Sequence, residues 1–335
     1  PFVIAARIEA AVKALTGTAK SFIPEMAAEN LYASSRDRFR FSRLYLPGNS
    51  PGMFLNAGLH SPDGVILDLE DSVAPERKDE ARILVRNALR VVNFYGAERM
   101  VRINQGERGL DDLEMLIPQN VHLVLLPKCE NAETVRAVDN RIREIKEREG
   151  QNEMVFLMPI IESAAGVERA MEIATAAESV VALAIGLEDY TADLGVQRTK
   201  EGKESLYARN RLVVASKAAG IQPIDSVFSD VGDMEGLLQN VLSAKAMGFE
   251  GMGCIHPRQI AVIREGFSPS PEEMEKAKKI VIAYRDALEK GLGVVALGTK
   301  MIDPPVVARA EKTITLAVRL GLLPENWMDL EKSKN

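Results

Sequence analysis

From Leu44 onward the chain alternates short apolar runs with longer stretches of helical periodicity. The apolar runs fall at 44–47, 64–69, 99–103, 122–127, 154–161, 180–186, 221–227 and 251–256. Most are continuous rather than alternating, as expected of strands buried on both faces of a parallel sheet. Between them, apolar positions three and four apart predict helices, most clearly at 75–92, 131–148, 163–178, 204–219 and 233–247. Strand–helix alternation builds right-handed βαβ units. Eight strands predict a (β/α)8 TIM barrel with a C-terminal helical extension. The competing architecture, a doubly wound open sheet, is disfavoured because no G-x-G-x-x-G follows the first strand.

The flanks read differently. Val3, Ala6, Ile8, Val12 and Leu15 share one face of a helix over 2–16, and Gly17 stops it. Residues 18–40 are polar, with Arg36, Arg38 and Arg40 crowded together; they predict a linker or surface wrap, most simply a solvated charged stretch. Downstream, Ser270-Pro271-Glu272-Glu273 opens a helix over 271–290, with proline and acids in its first turn. Gly291-Leu292-Gly293 ends it, a loop covers 298–305, and a last helix is expected over 306–320. The organisation predicted is a helix at 1–17, a linker at 18–40, a catalytic barrel at 41–267 and an extension at 268–335 that packs on a neighbouring subunit.

Composition narrows the function classes. The chain has 335 residues, 46% hydrophobic and 27% charged, which is ample for a sizeable core. A net charge of −6 gives no global basic field to attract nucleic acid or an anionic membrane. No apolar stretch reaches the length of a bilayer crossing, and the opening Pro1–Ala6 run is too short for a secretion signal. The chain begins without Met, as expected of a fragment or a processed product. Cys129 and Cys254 show no metal-type spacing and fit a reducing cytoplasm. His60, His122 and His256 include no H-x-x-x-H pair, so zinc-hydrolase chemistry starts weak.

Chemistry in such a barrel sits at the carboxyl ends of the strands. Those ends read Pro47-Gly48-Asn49, Asp68-Leu69-Glu70-Asp71, Arg102-Ile103-Asn104, Pro127-Lys128, Glu162-Ser163, Glu188-Asp189, Ile224-Asp225 and His256-Pro257. A rim this polar suits an anionic substrate. Glu162 and Asp189 are the candidate metal ligands: hard carboxylates without His or Cys suit Mg²⁺ or Mn²⁺, which accept substrate oxygens. The plain alternative for Glu162 is a cap on the helix starting at Ser163. Arg102 is placed to fork onto a substrate carboxylate, or to pair with Glu70 or Asp71. At least one of Asp68, Glu70 and Asp71 is expected to pack against Lys78 or Arg82. A divalent cation beside an arginine-bound carboxylate suits carbon–carbon bond chemistry on a 2-oxo or 2-hydroxy acid.

Several segments in order carry a family resemblance: Leu46-Pro47-Gly48-Asn49, Val65–Ala74, Val101-Arg102-Ile103-Asn104, Leu126-Pro127-Lys128, Ile161–Gly166, Ile185–Tyr190, Gly248–Gly251, Ile255–Ile260 and Gly298–Asp303. Over about Ser42 to Ala317 the chain resembles the citrate lyase β subunits, within the acyl-CoA lyases and metal-dependent aldolases. The resemblance implies a trimeric or hexameric (β/α)8 enzyme that cleaves a citryl thioester, carried on coenzyme A or a carrier-protein prosthetic group, to oxaloacetate and an acetyl thioester. Malyl-CoA and citramalyl-CoA lyases share the scaffold, and a non-catalytic carrier-binding subunit is the alternative of another class. The resemblance implies Mg²⁺ on Glu162 and Asp189. It implies a catalytic Arg102 that also binds substrate together with Glu70, Asp71, Gly186 and Leu187, and a catalytic Asp303 reaching a neighbouring barrel. The plain reading of Asp303 is an N-cap of the last helix. The implied partners are the citrate lyase α and acyl carrier subunits.

Two departures stand out: Phe41-Ser42 where the family often has Arg-Ser, and Asn56 where some relatives use a lysine near coenzyme A phosphates. The latter weakens the case for free coenzyme A. Residues 1–12 resemble the closing helix of the acyl carrier subunit, which implies a carrier–β fusion.

Overall fold

Eight parallel strands curl into one sheet: β1 Ser42–Pro47, β2 Gly64–Asp68, β3 Glu98–Arg102, β4 Leu123–Leu126, β5 Phe156–Ile161, β6 Ala182–Ile185, β7 Gln222–Ile224 and β8 Met252–Cys254. Their order is β7-β6-β5-β4-β3-β2-β1-β8. A parallel bridge between Asp225 and Met252 joins the two ends, so a nearly closed barrel forms rather than an open sheet. This computed structural model describes residues 7, 9, 10, 13, 23–289, 291, 295–297 and 300–332. It divides into two units, Pro1–Arg264 and Glu265–Asn335.

The barrel interior is filled from successive strands by Ile66, Met100, Leu123, Leu125, Phe156, Met158, Ile160, Val181, Ala182, Ala184 and Ile224, with Tyr45 packed on them. Each of the larger of these side chains (the Ile, Leu, Val, Phe and Met) contributes about 1.5–3 kcal/mol on burial, the two alanines less. Helices return the chain between strands, among them Lys78–Val91, Ala132–Glu149, Leu206–Ala218 and Met234–Met247. Asn131, Ser163 and Asp233 cap helix starts by accepting from Thr134, Gly166 and Gly236 backbone N–H groups. The helix expected over 163–178 is two short ones, Ala164–Glu168 and Ala170–Ala174. The hydrogen-bond ladder runs through the break, Arg169 N–H to Ala165 O and Ile173 N–H to Arg169 O, so the helix is distorted at Arg169 rather than ended there.

The amino ends of the strands hold the clearest departure from expectation. Arg40 is not part of a solvated stretch; it is fully buried. Its Nε and Nη2 fork onto Glu98 at 2.7 and 2.8 Å, and its Nη1 donates to Gln222 Oε1 at 2.6 Å. Glu98 opens β3 and Gln222 opens β7. Nearby, Asn30 donates to the Leu89 and Arg90 carbonyls, and the Tyr32 hydroxyl donates to Ala97 O at 2.6 Å. Residues 27–40 thus close this end of the barrel. A buried arginine holds there because carboxylate and carbonyl oxygens surround it. The helix and carrier remnant expected over 1–17 lie outside the described residues, apart from Arg7, Glu9, Ala10 and Lys13, which are helical.

The second unit has its own core of Ala277, Ile280, Val281, Ile302, Val307, Ala310, Ile314 and Trp327. It joins helix Pro271–Glu289 to helix Pro304–Arg319, with an antiparallel pair Val295–Leu297 and Lys300–Ile302 between them in sequence. Among the described residues no helix is long and apolar enough to cross a membrane.

Candidate active site

Parallel register assembles the rim. Asp68 lies opposite Arg102 in the β2–β3 ladder, so the guanidinium forks onto the carboxylate, Nε to Oδ1 and Nη2 to Oδ2, each at 2.7 Å. Its Nη1 stands 3.2 Å from Glu70 Oε2. Desolvation works against the Arg102 charge, yet the Asp68 and Glu70 carboxylates hold its pKa above the ordinary arginine value. Lys78 packs against Glu70, but on its backbone rather than its carboxylate, and Arg82 meets none of Asp68, Glu70 and Asp71. Lys78 Nζ donates to the Leu69 and Glu70 backbone carbonyls and to Asn104. Arg82 pairs with Asp112 at 2.6 Å. Both lie on helix Lys78–Val91, Lys78 at its first position beside the Glu70 backbone and Arg82 one turn on, beside Asp112.

Glu162 follows β5, and Ile161 lies opposite Ile185 in β6, which sets Glu162 beside Gly186. A Cβ at Gly186 would stand 2.3 Å from Glu162 Oε1. Only a glycine leaves room for this carboxylate. The other oxygen, Oε2, accepts from the Lys128 backbone N–H at 2.7 Å. Lys128 is held in the left-handed region at φ 48°, a conformation unusual for lysine that aims its amide at Glu162. Glu162 does not cap the following helix; Ser163 does. Burial pushes the Glu162 pKa up to about 7, and the Lys128 N–H and Arg102 only partly offset it. Asp189 projects from the first turn of helix Leu187–Asp193, which Gly186 precedes, where the helix dipole favours an anion.

Arg102, Glu162, Gly186, Leu187 and Asp189 line one cavity of about 320 Å³ at the carboxyl ends of the strands. Glu70 and Asp71, also expected to bind substrate, are not among the lining residues; they are tied to Arg102 and to Lys128, whose Nζ is 3.5 Å from each and 3.6 Å from Asp189 Oδ1. Asp303 is not among the lining residues. It belongs to the second unit, where its side chain accepts from Val306 N–H as the N-cap of helix Pro304–Arg319. Two charged residues matter here beyond those the sequence assigned to the site: Lys128, beside the cavity acids, and Arg43, in its lining. Lys128 was visible only as one polar strand end. Arg43 lines the cavity because β1 begins at Ser42, two residues before the apolar run from which the strand is read.

The donor set suits a hard divalent cation. Glu162 and Asp189 offer only oxygens, Gly186 leaves room for Glu162 Oε1, and carboxylates outnumber cations among the lining residues. Among the described residues no three or more metal-ligating side chains cluster. The two acids therefore leave most coordination positions to water and substrate, which is how Mg²⁺ is usually held.

The model of the HpcH/HpaI aldolase/citrate lyase family matches residues 42–257. The chain is 36% identical over 305 residues to the citrate lyase subunit beta of Leuconostoc mesenteroides subsp. cremoris, covering 89% of this chain and 100% of that one. It is 33% identical over 326 residues to the human mitochondrial citramalyl-CoA lyase, covering 93% and 96%. Among solved structures it resembles the protein CitE from Mycobacterium tuberculosis in complex with magnesium, acetoacetate and coenzyme A, with a TM-score of 0.70 and 31% identity over 84% of this chain and 99% of that one.

Proposed function

The chain belongs to the HpcH/HpaI aldolase/citrate lyase family, and from that premise we propose that it cleaves a citryl thioester to oxaloacetate and an acetyl thioester. The observation that carries the reading is the convergence of Glu162 and Asp189 on one cavity, with Gly186 cut away to admit the Glu162 carboxylate. Those two acids would hold Mg²⁺ (Mn²⁺ in its absence). The ion, when bound, supplies a Lewis acid that acidifies the substrate hydroxyl and polarises the ketone that forms. Lys128 holds Glu162 through its backbone N–H, and its ammonium balances Glu70, Asp71 and Asp189. Arg102, fixed by Asp68, faces a substrate carboxylate.

The reaction balances as follows. The tertiary hydroxyl loses its proton, and the oxygen's electron pair becomes the carbonyl π bond of oxaloacetate. The adjacent carbon–carbon bond breaks, and its electrons pass to the acetyl-thioester enolate. A proton then reaches the enolate carbon. One carboxyl group cycling between its two protonation states closes the proton balance, and Asp303 of a neighbouring copy is assigned that role. This assignment requires a homo-oligomer, a trimer or hexamer in the family resemblance. The citrate lyase α and acyl carrier subunits are the partners the reading implies, with the acyl group on a carrier prosthetic group or coenzyme A. Cys129 and Cys254 are buried thiols pushed up to about 12 by burial; such unreactive cysteines suit a cytoplasmic setting.

The human relative favours a second reading, citramalyl-CoA cleavage by the same chemistry at the same residues. Calorimetric titration of oxaloacetate with and without Mg²⁺ tests whether the cavity is catalytic. A lyase binds oxaloacetate more tightly with the metal present, whereas a carrier-binding assembly subunit shows no coupling.

A further inference from the structure

Arg43 is a cation buried without a counter-ion. It is the second residue of β1 and shares its inward parity with Tyr45, and both line the cavity. Its side chain is 1% exposed. Its Nη1 donates to the Met158 sulfur at 2.9 Å, a weak acceptor, and its Nε is buried with no partner. Among the described residues it forms no ion pair. The other buried arginines of this unit are provided for. Arg40, Arg82, Arg86 and Arg209 are matched by Glu98, Asp112, Glu9 and Asp225. Arg99, whose Nε also lacks a partner, rests over the Tyr32 ring and lines no part of the cavity.

A guanidinium does not shed its proton readily, so an unpaired one in an apolar interior is costly. An anion entering the cavity removes that cost. Arg102 is differently placed, because Asp68 and Glu70 already balance its charge. A citryl thioester carries two carboxylates. The one beside the tertiary hydroxyl belongs at the rim with Glu162, Asp189 and Arg102. The other needs a cation of its own, deeper in the cavity.

We propose that Arg43 receives this second carboxylate and thereby selects a two-carboxylate 2-oxo acid product, such as oxaloacetate, over a one-carboxylate product such as pyruvate. The proposal rests on the lyase reading of the cavity and decides within it between citryl and citramalyl substrates. Arg43 is a specificity-determining residue here, acting by a charge-assisted fork on the substrate.

The test is calorimetric binding of oxaloacetate and of pyruvate, each with Mg²⁺, to the wild type, Arg43→Met and Arg43→Lys. Methionine fills the site without a charge, and lysine keeps the charge without the fork. The wild type should prefer oxaloacetate. Arg43→Met should weaken oxaloacetate binding roughly 10–100-fold, the worth of a lost charged hydrogen bond, and leave pyruvate binding unchanged. Arg43→Lys should retain part of the preference, and ligand-free Arg43→Met should melt no lower than the wild type. Equal losses for both ligands, or none for oxaloacetate, overturn this inference alone. A wild type that binds neither ligand with Mg²⁺ overturns the lyase reading, and the inference falls with it.

Discussion

Gly186→Ala moves the Glu162 carboxylate without removing it. Gly186 has an ordinary backbone conformation, φ −109°, so space is the only obstacle to a side chain. The new Cβ would lie 2.3 Å from Glu162 Oε1, 2.7 Å from its Cγ and 2.9 Å from its Cδ, where ordinary contact begins at 3.4 Å. Glu162 must therefore retreat by about 1 Å. It is 6% exposed and held on its other oxygen by Lys128 N–H, so it cannot swing freely into solvent. A displacement of about 1 Å at a reacting centre costs on the order of 10²-fold in rate, and disturbing the support of a ligand costs roughly 10–100-fold in metal affinity. The obstructing atoms belong to a side chain rather than to backbone, so the barrel itself should persist. Mg²⁺ titration by calorimetry should show the weakened binding, with circular dichroism and the melting transition close to wild type. Wild-type Mg²⁺ affinity in a folded Gly186→Ala would refute the placement of the metal on Glu162.

Three further outcomes are expected. Asp303→Asn should lower turnover roughly 10²–10⁴-fold while sparing Mg²⁺ binding and the helix, because asparagine caps as well as aspartate; steady-state kinetics showing no change would remove Asp303 from catalysis. Glu98→Gln should destabilise the fold by about 3–5 kcal/mol, because it leaves Arg40 buried without its charge partner, and urea unfolding showing under about 1 kcal/mol would contradict the pairing argument. His122 should make stability fall with acid. Its Nδ1 accepts from Arg99 N–H, so Nε2 carries the proton and donates to Tyr32 O. Burial, with Arg99 beside the ring, lowers its pKa to about 3. The unfolded chain takes up a proton below about pH 6.5 that the folded chain refuses. The His122 contribution is thus complete above pH 6.5 and shrinks by at most about 1.4 kcal/mol per pH unit as pH falls toward 3. Comparing His122→Asn with the wild type between pH 5 and 7 isolates this slope, and parallel curves would contradict it.

The barrel was readable because its strands are continuous apolar runs and its helices keep their period. Glu162 and Asp189 were readable because strand ends in this architecture share a rim. Pairings across the sheet were not. Asp68 meets Arg102 through the register of β2 on β3, and register is set by three-dimensional closure rather than by either segment. Arg40 reads as one arginine in a polar stretch until Glu98 and Gln222 are seen beside it. Lys128 contributes through a left-handed backbone that no residue type announces. Arg43 stands just before the apolar run at 44–47 and enters the strand only when β1 is seen to begin at Ser42, and the sequence does not say whether a charge there finds a partner.

The most direct test of the account is oxaloacetate release from citryl-CoA, followed by coupled reduction, for the wild type and Glu162→Gln, each with Mg²⁺ and with EDTA. The wild type should cleave with Mg²⁺ alone, and Glu162→Gln under neither condition. Cleavage that persists in EDTA, or in Glu162→Gln, would contradict it.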